Sequence, residues 1–235
     1  MNNPGFSRFI NHFNIEDIMK KVILKHVILA IVIMGSISIM SCKKGDENID
    51  NKPEAGNIIN GHEYVDLGLP SGLKWATCNI GANQPHEYGN YYAWGETSTK
   101  NYYTDRNSLT FDVWMNDISG DTIYDAARAN WGGTWRIPTK TEMKELIDSC
   151  SWNWTTQNGI NGMNVTGPNG KSIFLPATGY CDNTTNPTIG DSGLYWSSTP
   201  FESNVSAYYL DFNSYRSDMG SLARFAGVTV RPVSD

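Results

Sequence analysis

The chain has 235 residues with 18 basic and 24 acidic side chains, a net charge of −6, and eight tryptophans. No basic stripe runs through it, which excludes nucleic acid as a partner. Cys78, Cys150 and Cys181 are too few and too far apart for a zinc site, and beyond residue 41 only His62 and His86 stand beside them.

In chain order, the first segment is a secretory pattern. Met19-Lys20-Lys21 opens a basic region continued by Lys25 and His26, and Val27 to Met40 is apolar apart from Gly35, Ser36 and Ser38. That stretch is shorter than the roughly 20 apolar residues a membrane span needs, so residues 1–41 read as a signal sequence with translation starting at Met19. Ile39-Met40-Ser41-Cys42 resembles the lipobox of bacterial lipoproteins, and the resemblance implies that Cys42 becomes the lipidated first residue of the mature chain. Residues 42–57 are charged and poor in large apolar side chains, as expected of a solvated tether. Removing residues 1–41 takes 18 basic and 24 acidic residues to 14 and 22, a net of −8.

Residues 58–235 suit a single domain. Tyr64, Val65 and Leu67 read as a short strand, Leu69 to Gly72 as a turn, and Leu73 to Cys78 as a second strand. Gly89 to Glu96 reads as an aromatic strand, residues 97–120 as loop, and Asp121 to Asn130 as a short helix. Thr139 followed by Glu142 is a capping box, and Pro138 rules out helix before it. Met143, Leu146, Ile147 and Cys150 then form one apolar helical stripe. Trp131 and Trp135 flank Gly132-Gly133 and should pack on a sheet at either side of the bend. Asn164 to Tyr180 reads as a hairpin turning at Gly167-Pro168-Asn169-Gly170, and Gly193–Thr199, Ser206–Phe212 and Gly227–Val233 as three further strands. Short antiparallel strands after two helices indicate an α+β domain.

Cys78, Cys150 and Cys181 follow the signal, an odd count that permits one bridge. Cys78–Cys150 is the preferred pair, because each lies at the edge of a patterned element while Cys181 sits in a polar loop. Arg136 and Arg231 should pair with core carboxylates, and Glu96 should accept backbone hydrogen bonds.

The motifs "VDLGLPSGLKWATCNIGA", "YGNYYAWGET", "WGGTWRIPTKTEMKEL", "GLYWSST" and "VRPV" resemble the Fibrobacter succinogenes major paralogous domain family over Gly61 to Val233. The resemblance implies a C-type-lectin-like fold, in which Gly132-Gly133, Pro138-Thr139 and Glu142 open the second helix. It also implies a lipoprotein of the outer membrane, displayed at the cell surface. The family carries over no enzymatic activity, cofactor or metal. Animal C-type lectins bind sugars through calcium with loops this chain lacks, and Trp114 to Asp117, "WMND", stands before both helices and so is out of position.

Three chemistries remain to be weighed. Asp182, Asn183 and Asp191 offer oxygens of the kind calcium accepts, but in no ligand spacing, so a plain surface loop is preferred. Glu87, Glu96, Glu202 and Asp211 are candidate acids without a diagnostic spacing. Asp121-Thr122-Ile123 resembles an O-glycosylation acceptor, and a helix cap at Thr122 accounts for it equally. Trp152 and Trp154 fall on one side of an extended segment, and Tyr102-Tyr103 lie in a loop; both pairs could stack on a ligand or simply pack. The expectation is a non-catalytic binding or adhesion module for glycan or protein, with a structural part of the envelope or of a fimbria-like assembly as the alternative and a carbohydrate-active enzyme as the weakest reading.

Overall fold

The computed structural model describes residues 57–235. The expected signal sequence (1–41), the expected lipidation at Cys42 and the expected tether up to residue 56 lie outside the described residues. Among those described, no helix is long and apolar enough to cross a membrane.

Ten strands, two α-helices and one short 3-10 turn (Asp105–Asn107) build an α+β fold dominated by antiparallel sheet. The first sheet joins β1 (Ile58–Ile59), β2 (His62–Asp66), β3 (Lys74–Ala76) and the C-terminal β10 (Val233–Ser234) in that order. The second is the meander β4 (Ser151–Gln157), β5 (Ile160–Thr166) and β6 (Ser172–Pro176); the third is β7 (Ser192–Pro200), β8 (Ser206–Asn213) and β9 (Arg216–Ala223). An Asn158-Gly159 turn with φ of 49° and 80° closes β4 onto β5, as the twist of a two-residue hairpin requires. The expected turn before β6 forms, with the Gly170 amide donating to the Gly167 carbonyl at 3.0 Å.

The third sheet divides the core. Alternation along its strands sends Tyr195, Leu210 and Phe212 to one face and Leu194, Trp196, Ala207 and Tyr209 to the other. The first face meets Met143 and Leu146 of helix α2 (Lys140–Ser149) together with Leu67, Trp75 and Val165. The second meets Ala126 and Ala127 of helix α1 (Ala126–Trp131), with Tyr92, Trp94 and Val228.

Helix α2 starts where the capping box places it. The Thr139 hydroxyl accepts from the Glu142 amide at 3.3 Å, and the Glu142 carboxylate accepts from the Thr139 amide at 2.7 Å. Arg136 grips the same carboxylate with both terminal nitrogens, at 2.8 and 2.7 Å, and reaches Asp235 at 2.6 Å. Trp135 is fully buried with its indole N–H donating to the Ile59 carbonyl, and Trp131 packs edge-on against it. The heavy approach thus anchors the helix start to the first sheet.

Several expectations are corrected. Gly89 to Glu96 forms only a single bridge, Tyr92 to Val228, and turns at Trp94-Gly95, where the Glu96 amide donates to the Ala93 carbonyl at 3.1 Å and Gly95 takes a φ of 72°. Gly227 to Val233 likewise makes isolated bridges with three different segments before β10 begins. The short helix starts at Ala126, capped by Asp125 rather than Thr122, since the buried Asp125 carboxylate accepts from the Ala127 and Arg128 amides. Among the described residues Arg231 has no carboxylate partner: it donates to Asn79 Oδ1 and to the carbonyls of Ala76, Thr77 and Phe174. The Cys78–Cys150 bridge does not form, and Cys78, Cys150 and Cys181 are free thiols. Cys78 lines a cavity beside Trp131, whereas Cys150 closes helix α2 and packs on the Met143 side of the core.

Burial alone would raise the Glu142 carboxyl, but its bonds from Arg136 and Thr139 outweigh burial and hold it below the ordinary glutamate range. A carboxyl depressed in the folded state stabilises fully above its unfolded value, about pH 4.3, and loses that contribution as pH falls through the depressed one. Glu142→Gln should therefore cost about 1.5–3 kcal/mol at pH 7, with the deficit shrinking at pH 3. Urea unfolding at the two pH values checks this; an equal deficit at both would contradict it.

Candidate functional site

The loop from Thr97 to Gly120 carries almost no regular structure, yet it is pinned at points along its length. The Glu96 carboxylate, nearly buried, accepts from the Leu109 amide at 2.8 Å and pairs with Lys100 at 2.6 Å. The buried Thr110 hydroxyl donates to the Trp94 carbonyl. Asp112 takes a φ of 60°, held there by its amide on the Asn204 carbonyl at 3.1 Å and by the Asn204 side chain on its carboxylate at 2.6 Å.

This pinning opens a cavity of about 390 Å³ between Trp114–Asp117 on one side and Thr199–Asn204 on the other. Arg224 lines it although only 1% exposed. Its Nε donates to the Ser206 carbonyl at 3.1 Å, and its Nη1 to the carbonyls of Thr110 and Val113 at 3.2 and 2.6 Å. The guanidinium carbon stands 4.4 Å from the Trp94 ring centroid, a cation–π contact. Burial lowers the Arg224 pKa, but an arginine remains charged. Nη2 has no acceptor among the described residues, and it is not fully buried.

Trp114 is 79% exposed, an unusual position for an indole. Asp117 accepts from the Ser119 amide at 2.9 Å and the Thr199 hydroxyl at 2.6 Å, and that hydroxyl accepts from the Lys140 amide at 3.0 Å. The first amide of helix α2 is thus linked through Thr199 to the cavity wall. Glu202 makes no hydrogen bond among the described residues.

The residues singled out in the sequence lie elsewhere. Trp152 and Trp154 do share a face of β4, but both are half-buried against the core, and the Trp152 ring sits 5.8 Å from that of Phe212. Tyr102 and Tyr103 diverge: Tyr102 is 52% exposed, whereas Tyr103 is buried and donates to the Tyr91 carbonyl at 2.6 Å. Burial pushes the Tyr103 hydroxyl up to about 12. Asn183, at a φ of 52°, bridges its backbone to Tyr103 and lines a small cavity with Cys181. Asp182 turns onto Thr185, and Asp191 closes a turn on Thr188. Of the four acids weighed, Glu87 accepts from the Asn83 amide at 2.7 Å, Glu96 holds Lys100, and Asp211 pairs with Arg216 at 2.5 Å. Only Glu202 faces a cavity without a partner.

A second cavity of about 510 Å³ lies between β2, the end of β3 and the loop 82–85. The His62 ring stacks on Trp131 at 3.7 Å there, and burial lowers the His62 pKa.

Sequence reasoning noted Trp114 to Asp117 only as a misplaced lectin motif. A tryptophan in a polar, aperiodic loop was the available signal, because nothing local offers it a core to join.

The family described as the Lcl C-terminal domain has a model that matches residues 68–234. No curated protein and no solved structure matches the chain.

Packing and exposure separate the two kinds of tryptophan. Trp152→Ala should cost about 2–4 kcal/mol, as loss of a large packed side chain does, while Trp114→Ala should stay within about 0.5 kcal/mol; denaturant midpoints report both. The thiols give a second check. Burial, with the Glu145 charge adding to it, pushes the Cys150 thiol up to about 11, and burial also raises Cys181. At pH 8 the native chain should alkylate at Cys150 more slowly than an unstructured thiol, and the denatured chain, without reductant, should take up label at Cys78, Cys150 and Cys181. A Cys78–Cys150 bridge would leave both unlabelled.

Proposed function

The chain belongs to the Lcl C-terminal domain family, and from that premise we propose that it is a non-catalytic binding or adhesion module for glycan or protein. In this reading Cys42 carries the lipid, residues 42–57 are the tether, and the domain is displayed at the outer membrane surface. The frame is C-type-lectin-like: two helices and antiparallel sheets, with Gly132-Gly133 and the capped Thr139 opening the second helix. The likeness to the Fibrobacter succinogenes major paralogous domain family belongs to the same proposal.

The observation that carries it is the Trp114 cavity. There an exposed indole and a guanidinium with an unused nitrogen line one cavity, a broad apolar face and a fixed donor that a ligand can use together. Recognition needs such groups placed on a fixed loop above a packed scaffold. Metal plays no part in the reading, and Glu202 faces the cavity without a second unpaired acid beside it.

A structural role in the envelope or in a fimbria-like assembly is favoured by a different observation. Leu109 is 77% exposed and Val113 45%, on the same loop as Trp114, a cluster of apolar side chains of the kind that assembly contacts cover.

The test is a screen of the full chain in detergent against arrayed glycans and extracellular matrix proteins, with calcium and with chelator. Saturable binding that chelator leaves unchanged is the expected result. Binding abolished by chelator would overturn the metal-free reading. Absence of any ligand, with crosslinking of the chain into one defined envelope complex on intact cells, would replace it by the structural role.

A further inference from the structure

We infer that the cavity between Trp114–Asp117 and Thr199–Asn204 is a subsite for an uncharged sugar unit, stacked on Trp114 and hydrogen-bonded by Glu202 and by Nη2 of Arg224. The inference rests on the binding-module reading and names the ligand class of its site.

Size comes first. About 390 Å³ lies toward the small end of ligand sites, roughly 300–1,000 Å³, so the cavity takes a unit of an oligomer rather than a folded domain.

Chemistry then selects the unit. The exposed indole of Trp114 offers a broad face with a negative quadrupole, which suits the C–H face of a pyranose ring. A sugar hydroxyl both donates and accepts, and the cavity supplies one group of each kind. Glu202 is an acceptor with no partner among the described residues, and Nη2 of Arg224 is a donor with none. The other two guanidinium nitrogens are fixed on three carbonyls, so Nη2 is aimed rather than free to swing. Nη2 keeps some exposure although its residue is 1% exposed, so a ligand acceptor there replaces water on a donor the protein leaves unused.

Charge excludes the competitors. An anionic ligand drawn to Arg224 would meet Glu202 and Asp117 on the same walls, and a cationic one would meet the buried guanidinium. Asp117 already accepts from Ser119 and Thr199, so it shapes the wall more than it seeks a ligand. A polyhydroxylated, uncharged ring is satisfied by both signs at once. Its binding should accordingly vary little with salt, unlike that of a charged chain.

The experiment uses the full chain in detergent and a panel of neutral oligosaccharides (gluco-, galacto-, manno-, xylo- and N-acetylchito-hexaoses) beside uronic-acid and sulfated chains. Isothermal titration at low and moderate salt follows each hit. The expected result is saturable binding of a neutral chain, nearly salt-independent, quenching or shifting indole fluorescence. Trp114→Ala and Glu202→Gln, both at the cavity rim and outside the core, should each weaken it about tenfold or more, the size of losing a stacking contact and a hydrogen bond to a charged group respectively. Arg224→Lys tests the inner wall, and its folding is checked first by the denaturation midpoint.

Each other outcome overturns the inference. A neutral hit that both rim variants leave intact places the site elsewhere while keeping the binding module. Binding only to acidic chains, lost steeply with salt, assigns the wrong ligand class. Binding only to a protein removes the sugar but not the module. No ligand of any class removes both.

Discussion

Arg231 is buried to 1% exposure, and its guanidinium donates to Asn79 Oδ1 at 2.8 Å and to the carbonyls of Ala76, Thr77 and Phe174 at 3.1, 2.9 and 3.0 Å. Those acceptors lie at the end of β3, just past it and in β6, while the arginine itself belongs to the segment leading into β10. One side chain therefore ties the first sheet, the second sheet and the C-terminus together. The absence of a carboxylate partner shapes its surroundings. A buried charge is costly unless it is well hydrogen-bonded, and each of the three guanidinium nitrogens of Arg231 donates to a fixed oxygen. The same Asn79 donates to the Tyr88 carbonyl at 2.9 Å, which extends the network into the irregular loop beyond.

That pattern recurs wherever the chain leaves its ladders. From Thr77 to Asp125 there is little regular structure, and backbone groups in a packed domain must still be paired. Buried side chains do it. Asp125 collects the amides of Gly120, Ala127, Arg128 and Ile137, holding the start of helix α1 to the approach of α2. The indoles of Trp94 and Trp196 exchange partners across the core, one donating to the Ser197 carbonyl and the other to that of Tyr92, at 2.9 and 2.8 Å. A loop fixed through side chains has no register to slip, because each bond names a particular residue.

This explains which features were legible in the sequence. The α2 cap, its apolar stripe and the hairpin before β6 are set by residues within a few positions of each other, and they stand as read. Strand β9 was missed because Arg216 to Ala223 lacks strand-forming residues; its pairing is imposed by β8. Gly89 to Glu96 was read as a strand from its aromatics, yet those aromatics face the core from a segment whose hydrogen bonds are spread over several partners. The partners of Arg231 could not be read at all, since a carbonyl leaves no mark in the sequence. The cavity beside Trp114 shares that fate: its two walls are about 85 residues apart in the chain.

The exposed indole and the buried guanidinium are best understood as one device. Arg224 Nη1 binds the carbonyls of Thr110 and Val113, so the charge that lines the cavity also clamps the residues just before Trp114. Asp112 and Asn204 bind each other twice, locking that loop to the opposite wall. Asp117, Thr199 and the first amide of α2 close the other end. Trp114 thus stands in solvent on a loop whose backbone is fixed on both sides, and ordering that backbone is already complete before any ligand arrives. For the proposed ligand, the entropy cost of binding would then fall on the ligand and on a few rotamers, the condition under which a shallow cavity can hold a small unit. Helix α2, with no side chain in the cavity, takes part through Lys140 and Thr199: its capped start fixes a wall rather than supplying chemistry.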